Sequence, residues 1–410
     1  MVITKKYLVF PVSDFVKVRE IDFYNKDKLL DDIYIKLDYI NPKYNIYYPV
    51  EKYKGMNIDV IIHPDIDFRW DQTDEPDYTF VYNCPFRPKL HFTAAFGWLN
   101  DPNGLFEYTS KVTGEKVYNM YFQYNPYGNI WGNIHWGHAV SKDLLHWEQK
   151  SSIMAPDELG MIFSGSAVVD SENRSGLKSG EEDVILIYYT AAGGTNKLSE
   201  NKKFTQCIAY SNDCGKTFVK YKENPIIQNV GNDNRDPKVV WCEEMQCYVM
   251  ALYLKEGTSS FGIFTSRDLL HWEFLQEMVI DGDAECPDLY PIYVQDGERE
   301  RKWVITAASG KYIICECSEN GFQIIQQAMP LNYTLHSYAA QTFYNVSDDR
   351  IIRMSWNRDV FFPESPFSQQ MSIPYDIVLK KKDNLYILCA KPIKELEKPV
   401  SYTHLTLPTT

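Results

Sequence analysis

Three acidic residues of the 410-residue chain sit in short, unusual settings. Asp101 lies in Trp98-Leu99-Asn100-Asp101-Pro102-Asn103-Gly104, Asp236 in Asn234-Arg235-Asp236-Pro237, and Glu285 in Glu285-Cys286-Pro287-Asp288. Breaking an acetal between sugars needs one carboxylate that attacks or stabilises carbon. It needs a second, protonated, that hands its proton to the leaving oxygen. A third acid that only binds sugar hydroxyls would complete such a pocket. Each residue also has a plainer reading. Asp-Pro-Asn-Gly is a strong hairpin-turn sequence, Arg235 and Asp236 could pair where a strand begins, and an isolated Glu is most often on the surface. Their company weighs against this. Trp98 in a turn is costly to expose unless something stacks on it. Arg235 would hold Asp236 ionised, because a nearby cation favours the charged carboxylate. A proton donor at position 285 requires apolar surroundings or a second carboxylate nearby.

Other chemistries find less support. Ser164-Gly165-Ser166 is no nucleophile elbow, and no Gly-rich loop runs into a helix to hold a nucleotide. His135-Trp136-Gly137-His138 could be drawn as a metal pair, but it lies in a strand-like segment without a third ligand. The nine cysteines, at 84, 207, 214, 242, 247, 286, 315, 317 and 389, are odd in number and have no framework spacing. Free thiols are therefore expected. Cys315-Glu316-Cys317 lacks a second thiolate pair or a nearby His, so the sequence suggests no zinc site, no other metal and no cofactor.

The elements that must position the acids are strands. Segments such as Val117–Gln123, Val184–Tyr189 and Trp303–Ala308 are short, aromatic and β-branched, and Gly, Asn and Asp turns separate them. No long segment carries a 3.6-residue period, so an all-β fold is expected. The chain also repeats. Ser141-Lys142-Asp143-Leu144-Leu145-His146-Trp147 returns as Ser266-Arg267-Asp268-Leu269-Leu270-His271-Trp272. Ser211-Asn212-Asp213-Cys214-Gly215-Lys216-Thr217-Phe218 is a looser relative between them, and Ser318-Glu319-Asn320-Gly321-Phe322 a fourth. Each copy follows one strand and precedes another, as a turn joining the outer strands of a sheet would. The spacing fits one four-stranded sheet per unit, the blade of a β-propeller, and residues 86–398 would hold about five.

Residues 1–70 lack the repeat and read as a small β module, with strands near Lys17–Phe23 and Ile58–Ile62. Residues 71–85 read as a turn-rich linker. Residues 399–410 carry no charge and no strand alternation, and resemble an appended or read-through sequence. The formal charge of −13 argues against nucleic acid or an anionic membrane as partner. No run at the start has signal-peptide character and none elsewhere reaches membrane-spanning length, so a cytoplasmic location is expected, or secretion if the start is mis-assigned. The 15% aromatic share includes 30 Tyr and 9 Trp, which suits both strands and the stacking of sugar faces.

With these residues assembled, the chain resembles glycoside hydrolase family 32, the invertases, levanases and inulinases. The resemblance runs from Phe86 to about Lys398. It is carried by Arg87–Thr93 leading into Trp98–Gly104, by Phe122–Pro126, Trp131–Ala139, Phe163–Ala167, Arg235-Asp236-Pro237, Glu285–Asp288 and Tyr338–Phe343. It implies a five-bladed propeller with the site in its central funnel. By position, Asp101 would be the nucleophile, Glu285 the general acid/base and Asp236 the stabiliser that binds fructosyl hydroxyls. Asn100, Gln123, Trp131, Ser164, Arg235 and Trp356 match positions that line the fructose pocket. The implied reaction retains anomeric configuration through a covalent fructosyl-enzyme, on fructan, fructo-oligosaccharide or sucrose; a fructosyltransferase or a silent sugar-binding propeller are the alternatives. Pro366–Pro374 and the amino-terminal module resemble a levanase- and exo-inulinase-like subgroup, although Tyr375 stands where Arg is common. The resemblance also implies a C-terminal β-sandwich, whereas only the unusual tail 399–410 follows Lys398. A truncated chain is expected, with a propeller face left apolar without the sandwich.

Overall fold

The computed structural model describes residues 1–397 except positions 67, 80, 82, 83, 85 and 296–299; the segment 399–410 lies outside the described residues. The first sheets are small. Tyr44–Pro49, Tyr7–Val12 and Asp71–Thr73 form one antiparallel three-stranded sheet, and Lys28–Ile35, Arg19–Asn25 and Asp59–His63 form another. Tyr7–Val12 alternates strictly, burying Leu8, Phe10 and Val12. These residues meet Phe23 and Tyr48, whose rings stack 4.4 Å apart, in the core between the two sheets. The module thus extends into the segment expected as linker. The reason is polar. The Gln72 side chain accepts from the backbone N–H of Thr4 at 2.8 Å and donates to the carbonyl of Val2 at 3.0 Å, and Asp74 accepts from Lys6 N–H. Turn-forming residues here cap a sheet edge.

Five antiparallel blades follow. Blade I comprises Gly97–Thr109, Lys116–Asn125, His135–Ser141 and Trp147–Met154. Blade II runs over Met161–Asp170, Val184–Ala192, Thr205–Ser211 and Val219–Lys220, and blade III over Arg235–Cys242, Cys247–Tyr253, Ser260–Ser266 and Glu273–Val279. Blade IV is Asp288–Gln295, Arg301–Thr306, Lys311–Ser318 and Gly321–Pro330; blade V is Ser337–Thr342, Ile351–Asn357, Tyr375–Lys382 and Leu385–Pro392. The first strand of every blade is innermost, and these five strands contact one another in a closed ring. Phe367–Ser368 pairs in parallel with Gly97 and Trp98, stitching the end of the ring to its beginning.

The repeated Ser-x-Asp segments are the turns between third and fourth strands. In blade I, Asp143 accepts from the N–H groups of Leu145 and His146 and from Ser141, while Leu144 takes φ 66° and Trp147 caps its carbonyl. Blade III repeats this at Ser266, Asp268, Leu269 and Trp272. Blade II keeps Ser211 and Asp213, with Thr217 completing the turn. An aspartate that satisfies three donors makes a tight turn reproducible, which explains the recurrence.

The inner strands are joined on the propeller axis by a buried polar cluster. Asp288 of blade IV receives Lys238 Nζ of blade III at 3.0 Å and the Thr342 backbone N–H of blade V at 3.0 Å. Lys238 also donates to the Thr342 carbonyl, and Arg353 donates to Thr306 while lying 3.7 Å from Asp288. Lys238 and Asp288 are essentially inaccessible, and burial pulls the Lys238 ammonium below its usual range. Removing one partner of a buried ion pair leaves the other uncompensated. Asp288→Asn is therefore expected to cost about 3–5 kcal/mol, measured by chemical denaturation, with Lys238→Met in the same chain recovering part of the loss. A cost below about 1 kcal/mol would show that the cluster does not hold the blades together.

Candidate active site

The inner strands do not run smoothly past the axis. The pairing of blade I slips between Leu99 and Pro102, so that Asn100 and Asp101 bulge out of the ladder. Blade II slips between Phe163 and Gly165, at Ser164; blade III between Arg235 and Lys238, at Asp236; blade V between Tyr338 and Gln341. Bulges re-aim side chains, and each of these aims one into the same space. Asp-Pro-Asn-Gly is thus no hairpin turn here: it lies inside a thirteen-residue strand. Asp236 adopts φ 66° and Glu285 and Cys286 adopt φ 43° and 44°, left-handed values that non-glycine residues hold only when their surroundings impose them. The Thr190 hydroxyl accepts the Asp236 N–H at 3.0 Å, and the Ala308 N–H bonds the Glu285 carbonyl at 3.1 Å.

The space is a cavity of about 410 Å³. Asp101, Asp236, Glu285, Asn100, Gln123, Trp131, Ser164, Arg235 and Trp356 all line it. Sequence reasoning missed Phe163, Phe204, Asp233, Glu256 and Tyr338. Tyr338 and Phe163 stand in recognisable motifs and could have been singled out; Phe204 and Glu256 lie in loops without any signal.

Asp101 accepts from Ser164 Oγ at 2.6 Å and from Asn100 Nδ2 at 3.3 Å. Asn100 is itself oriented by Trp98 Nε1 at 2.9 Å, and Trp98 meets the ring of Trp356 edge-on at 6.0 Å. Burial pushes the Asp101 carboxyl up to about 6, the Ser164 hydrogen bond opposes this, and the nearby Glu285 charge adds to it. Cys286 stands between two acids. Its thiol lies 3.6 Å from Asp101 Oδ2 and 3.5 Å from Asp236 Oδ2, and its N–H donates to Asp236 Oδ2 at 3.0 Å. Burial raises the thiol well above its ordinary range, so it is a neutral neighbour for both carboxyls.

Arg235 behaves differently from expectation. Its guanidinium donates to Glu285 Oε2 at 3.2 and 2.8 Å and pairs with Glu256, whereas its closest approach to Asp236 is 3.7 Å. Burial outweighs its pull, and Asp236 rises to about 7 rather than being held firmly ionised. Glu285 takes the guanidinium on one oxygen and the Tyr338 hydroxyl on the other. Five carboxyls and one guanidinium therefore face a common cavity among the described lining residues. Trp131 sits at the rim, half exposed, edge-on to Phe163, which meets Phe204 in the same way. Buried Asp236, partly exposed Glu285 and aromatic rings in one cavity suit a neutral, polyhydroxylated ligand.

The family model described as Glycosyl hydrolases family 32 N-terminal domain matches residues 91–392. The chain belongs to this family. A levanase of Bacillus subtilis (strain 168) is 35% identical over 341 residues, which cover 77% of this chain and 48% of that protein. Among solved structures, an exo-inulinase from Aspergillus awamori superposes with a TM-score of 0.66 at 30% identity, covering 76% of this chain and 68% of that one. A fructofuranosidase from Schwanniomyces occidentalis, complexed with fructose, gives 0.65 at 31% identity, covering 75% and 63%. The five-bladed β-propeller is the fold of these neighbours. The chain spans about half the length of the curated relatives it matches.

The Ser164 hydrogen bond favours the charged form of Asp101, so Ser164→Ala is expected to raise the Asp101 titration midpoint above about 6, by about one pH unit. Carboxyl-carbon NMR would follow it. An unchanged or lower midpoint would show that the hydroxyl does not stabilise the carboxylate.

Proposed function

We propose that the chain is a retaining β-fructofuranosidase that removes terminal β-D-fructosyl residues from fructans and fructo-oligosaccharides, and from sucrose. The observation that carries this reading is the placement of Asp101, Asp236 and Glu285 in one cavity with three different sets of partners. The names of the relatives, levanase, invertase and exo-inulinase, support the substrate class.

In this reading the Asp101 carboxylate attacks the anomeric carbon of the terminal fructosyl unit. The bond from that carbon to the bridging oxygen breaks, and Glu285 gives its proton to the departing oxygen. Water then attacks the covalent fructosyl-enzyme, with Glu285 taking a proton from it and Asp101 leaving. Two displacements at one carbon restore the original configuration. Asp236, near half-protonation at neutral pH, can accept from one fructosyl hydroxyl or donate to another. Tyr338 and Arg235 hold the two oxygens of Glu285, which fixes the position of its carboxyl in the cavity. The Trp131, Phe163 and Phe204 rings offer faces to the leaving sugar.

The purified chain incubated with inulin, levan and sucrose should release free fructose, with the β-anomer appearing first by NMR. Growing oligomers at high sucrose would instead favour transfer to a second sugar, and initial α-anomer would overturn the two-displacement route. Asp101→Asn should lower turnover by more than about 10⁴-fold and Glu285→Gln by about 10²–10⁴-fold, both with unchanged circular dichroism. The nucleophile must be ionised, so kcat/KM is expected to fall as pH drops through about 6, where Asp101 takes up its proton. A profile flat down to pH of about 4, the ordinary Asp value, would contradict the assigned nucleophile.

A further inference from the structure

Far from the cavity, the fold brings together residues that no short motif connects. Cys242 ends the innermost strand of blade III and Cys317 lies near the end of the third strand of blade IV, 75 positions later. Their sulfurs are 3.5 Å apart, and Glu244 Oε2 lies 3.5 Å from Cys242 Sγ. The three donor atoms all fall within 4.8 Å of one another. Two thiolates and a carboxylate on one tetrahedral zinc, with Zn–S near 2.3 Å and Zn–O near 2.0 Å, would stand about 3.8 Å apart for S···S and about 3.5 Å for S···O. The separations of Cys242 Sγ from Cys317 Sγ and from Glu244 Oε2 are close to these values before any ion is added, and Cys317 and Glu244 lie within 4.8 Å of each other.

The surroundings agree with that donor set. Arg301 Nη1 donates to Glu244 Oε1 at 3.2 Å, which leaves Oε2 turned to the sulfurs; ligating carboxylates are commonly held by such an outer partner. With two thiolates, one carboxylate, one guanidinium and a divalent ion, the local charges sum to zero. Cys242 is fully buried while Cys317 and Glu244 are partly exposed, so an ion has a route in from solvent. Asp236 and Cys242 are six residues apart on one extended strand, which separates this cluster from the catalytic acids by about 20 Å.

We propose that Cys242, Glu244 and Cys317 form a binding site for a thiophilic divalent cation, zinc by the chemistry of its donors, that ties blade III to blade IV. The adjacent Cys315-Glu316-Cys317 segment offers no such site by itself; the missing thiolate arrives from another blade. Thiolate ligands favour zinc over magnesium or calcium, and an ion held on three protein donors keeps a water in the fourth position.

The test uses the full chain, reduced and freed of metal, titrated with Co²⁺ as a spectroscopic substitute. About one equivalent should bind with thiolate-to-cobalt charge-transfer absorption in the near ultraviolet. Cys317→Ser, at a partly exposed position that should not impair folding, is expected to abolish that absorption and weaken binding by more than about a hundredfold. Zinc should raise the unfolding midpoint of the parent chain by a few degrees and leave that of Cys317→Ser unmoved. No charge-transfer absorption, or equal absorption in Cys317→Ser, would overturn the proposal. So would a disulfide between Cys242 and Cys317, seen as a cross-linked peptide lacking two hydrogens, if its reduction failed to restore cobalt binding.

Discussion

The buried cluster of Lys238, Asp288, Thr342 and Arg353 is the constraint on which the site rests. A propeller's innermost strands converge, and their ends would splay unless something tied them. Asp288 takes donors from blades III and V at once, so three adjacent inner strands are fixed at one depth. The functional residues stand just ahead of these anchors: Asp236 two residues before Lys238, Glu285 three before Asp288, and Tyr338 four before Thr342. The chain can therefore afford left-handed backbone at Asp236, Glu285 and Cys286, because the residues immediately downstream cannot move.

Above that floor, desolvation rather than pairing sets the character of the acids. Asp101 and Asp236 are both pushed up by burial; the Glu285 charge adds to each, and the Asp101 charge adds to Asp236. The one guanidinium among the described lining residues could have quenched this by pairing with Asp236. Instead its hydrogen bonds go to Glu285 and Glu256, and its pull on Asp236 across 3.7 Å is outweighed by burial; the Cys286 N–H and thiol complete the surroundings of Asp236. The two aspartates are thus both raised toward neutral pH, to about 6 and about 7, chiefly by their removal from water. Cys286 fits this arrangement because a thiol raised by burial adds no charge between them.

Much of this architecture was legible in the chain. The Ser-x-Asp turns recur because one aspartate satisfies several backbone donors, and that chemistry leaves a mark in sequence wherever the same turn is built. The β-branched runs were readable for similar reasons, whereas the six binding residues among the nine that line the cavity were named by the family resemblance alone. What escaped was whatever depended on three-dimensional proximity. Asp-Pro-Asn-Gly has turn composition, yet the pairing of Trp98 and Leu99 with Asn125 and Tyr124 on one side and Phe106 to Thr109 on the other makes it a bulge. Arg235 is adjacent to Asp236 in sequence, yet the bulge and the left-handed backbone at Asp236 re-aim the two side chains. The guanidinium makes its hydrogen bonds to Glu285 of blade IV while standing 3.7 Å from Asp236. Thr190 supports Asp236 from another blade, and Gln72 supports a sheet edge from a stretch that reads as linker.

The amino-terminal module bears on the site through one loop. Asn133 exchanges two hydrogen bonds with the Tyr34 backbone, at 2.8 and 2.7 Å, as a strand neighbour would. Asn133 also donates to Asn125, which in turn holds Tyr127 N–H and the Ile130 carbonyl, and Ser368 Oγ holds the Asn129 carbonyl. The loop from Pro126 to Ile134 is thereby tied to the module, to blade I and to the chain that closes the ring. Trp131 is carried at its tip, half exposed at the cavity mouth. An exposed indole on an untethered loop would lose orientational freedom on meeting a ligand, and that loss would offset much of what stacking contributes. Nearby, Lys197 of blade II reaches Asp22 and Glu20 while its N–H bonds Asp32, so the module grips two blades beside the same mouth. Among its described residues the small domain contributes none to the cavity lining, yet it fixes the aromatic ring at the entrance.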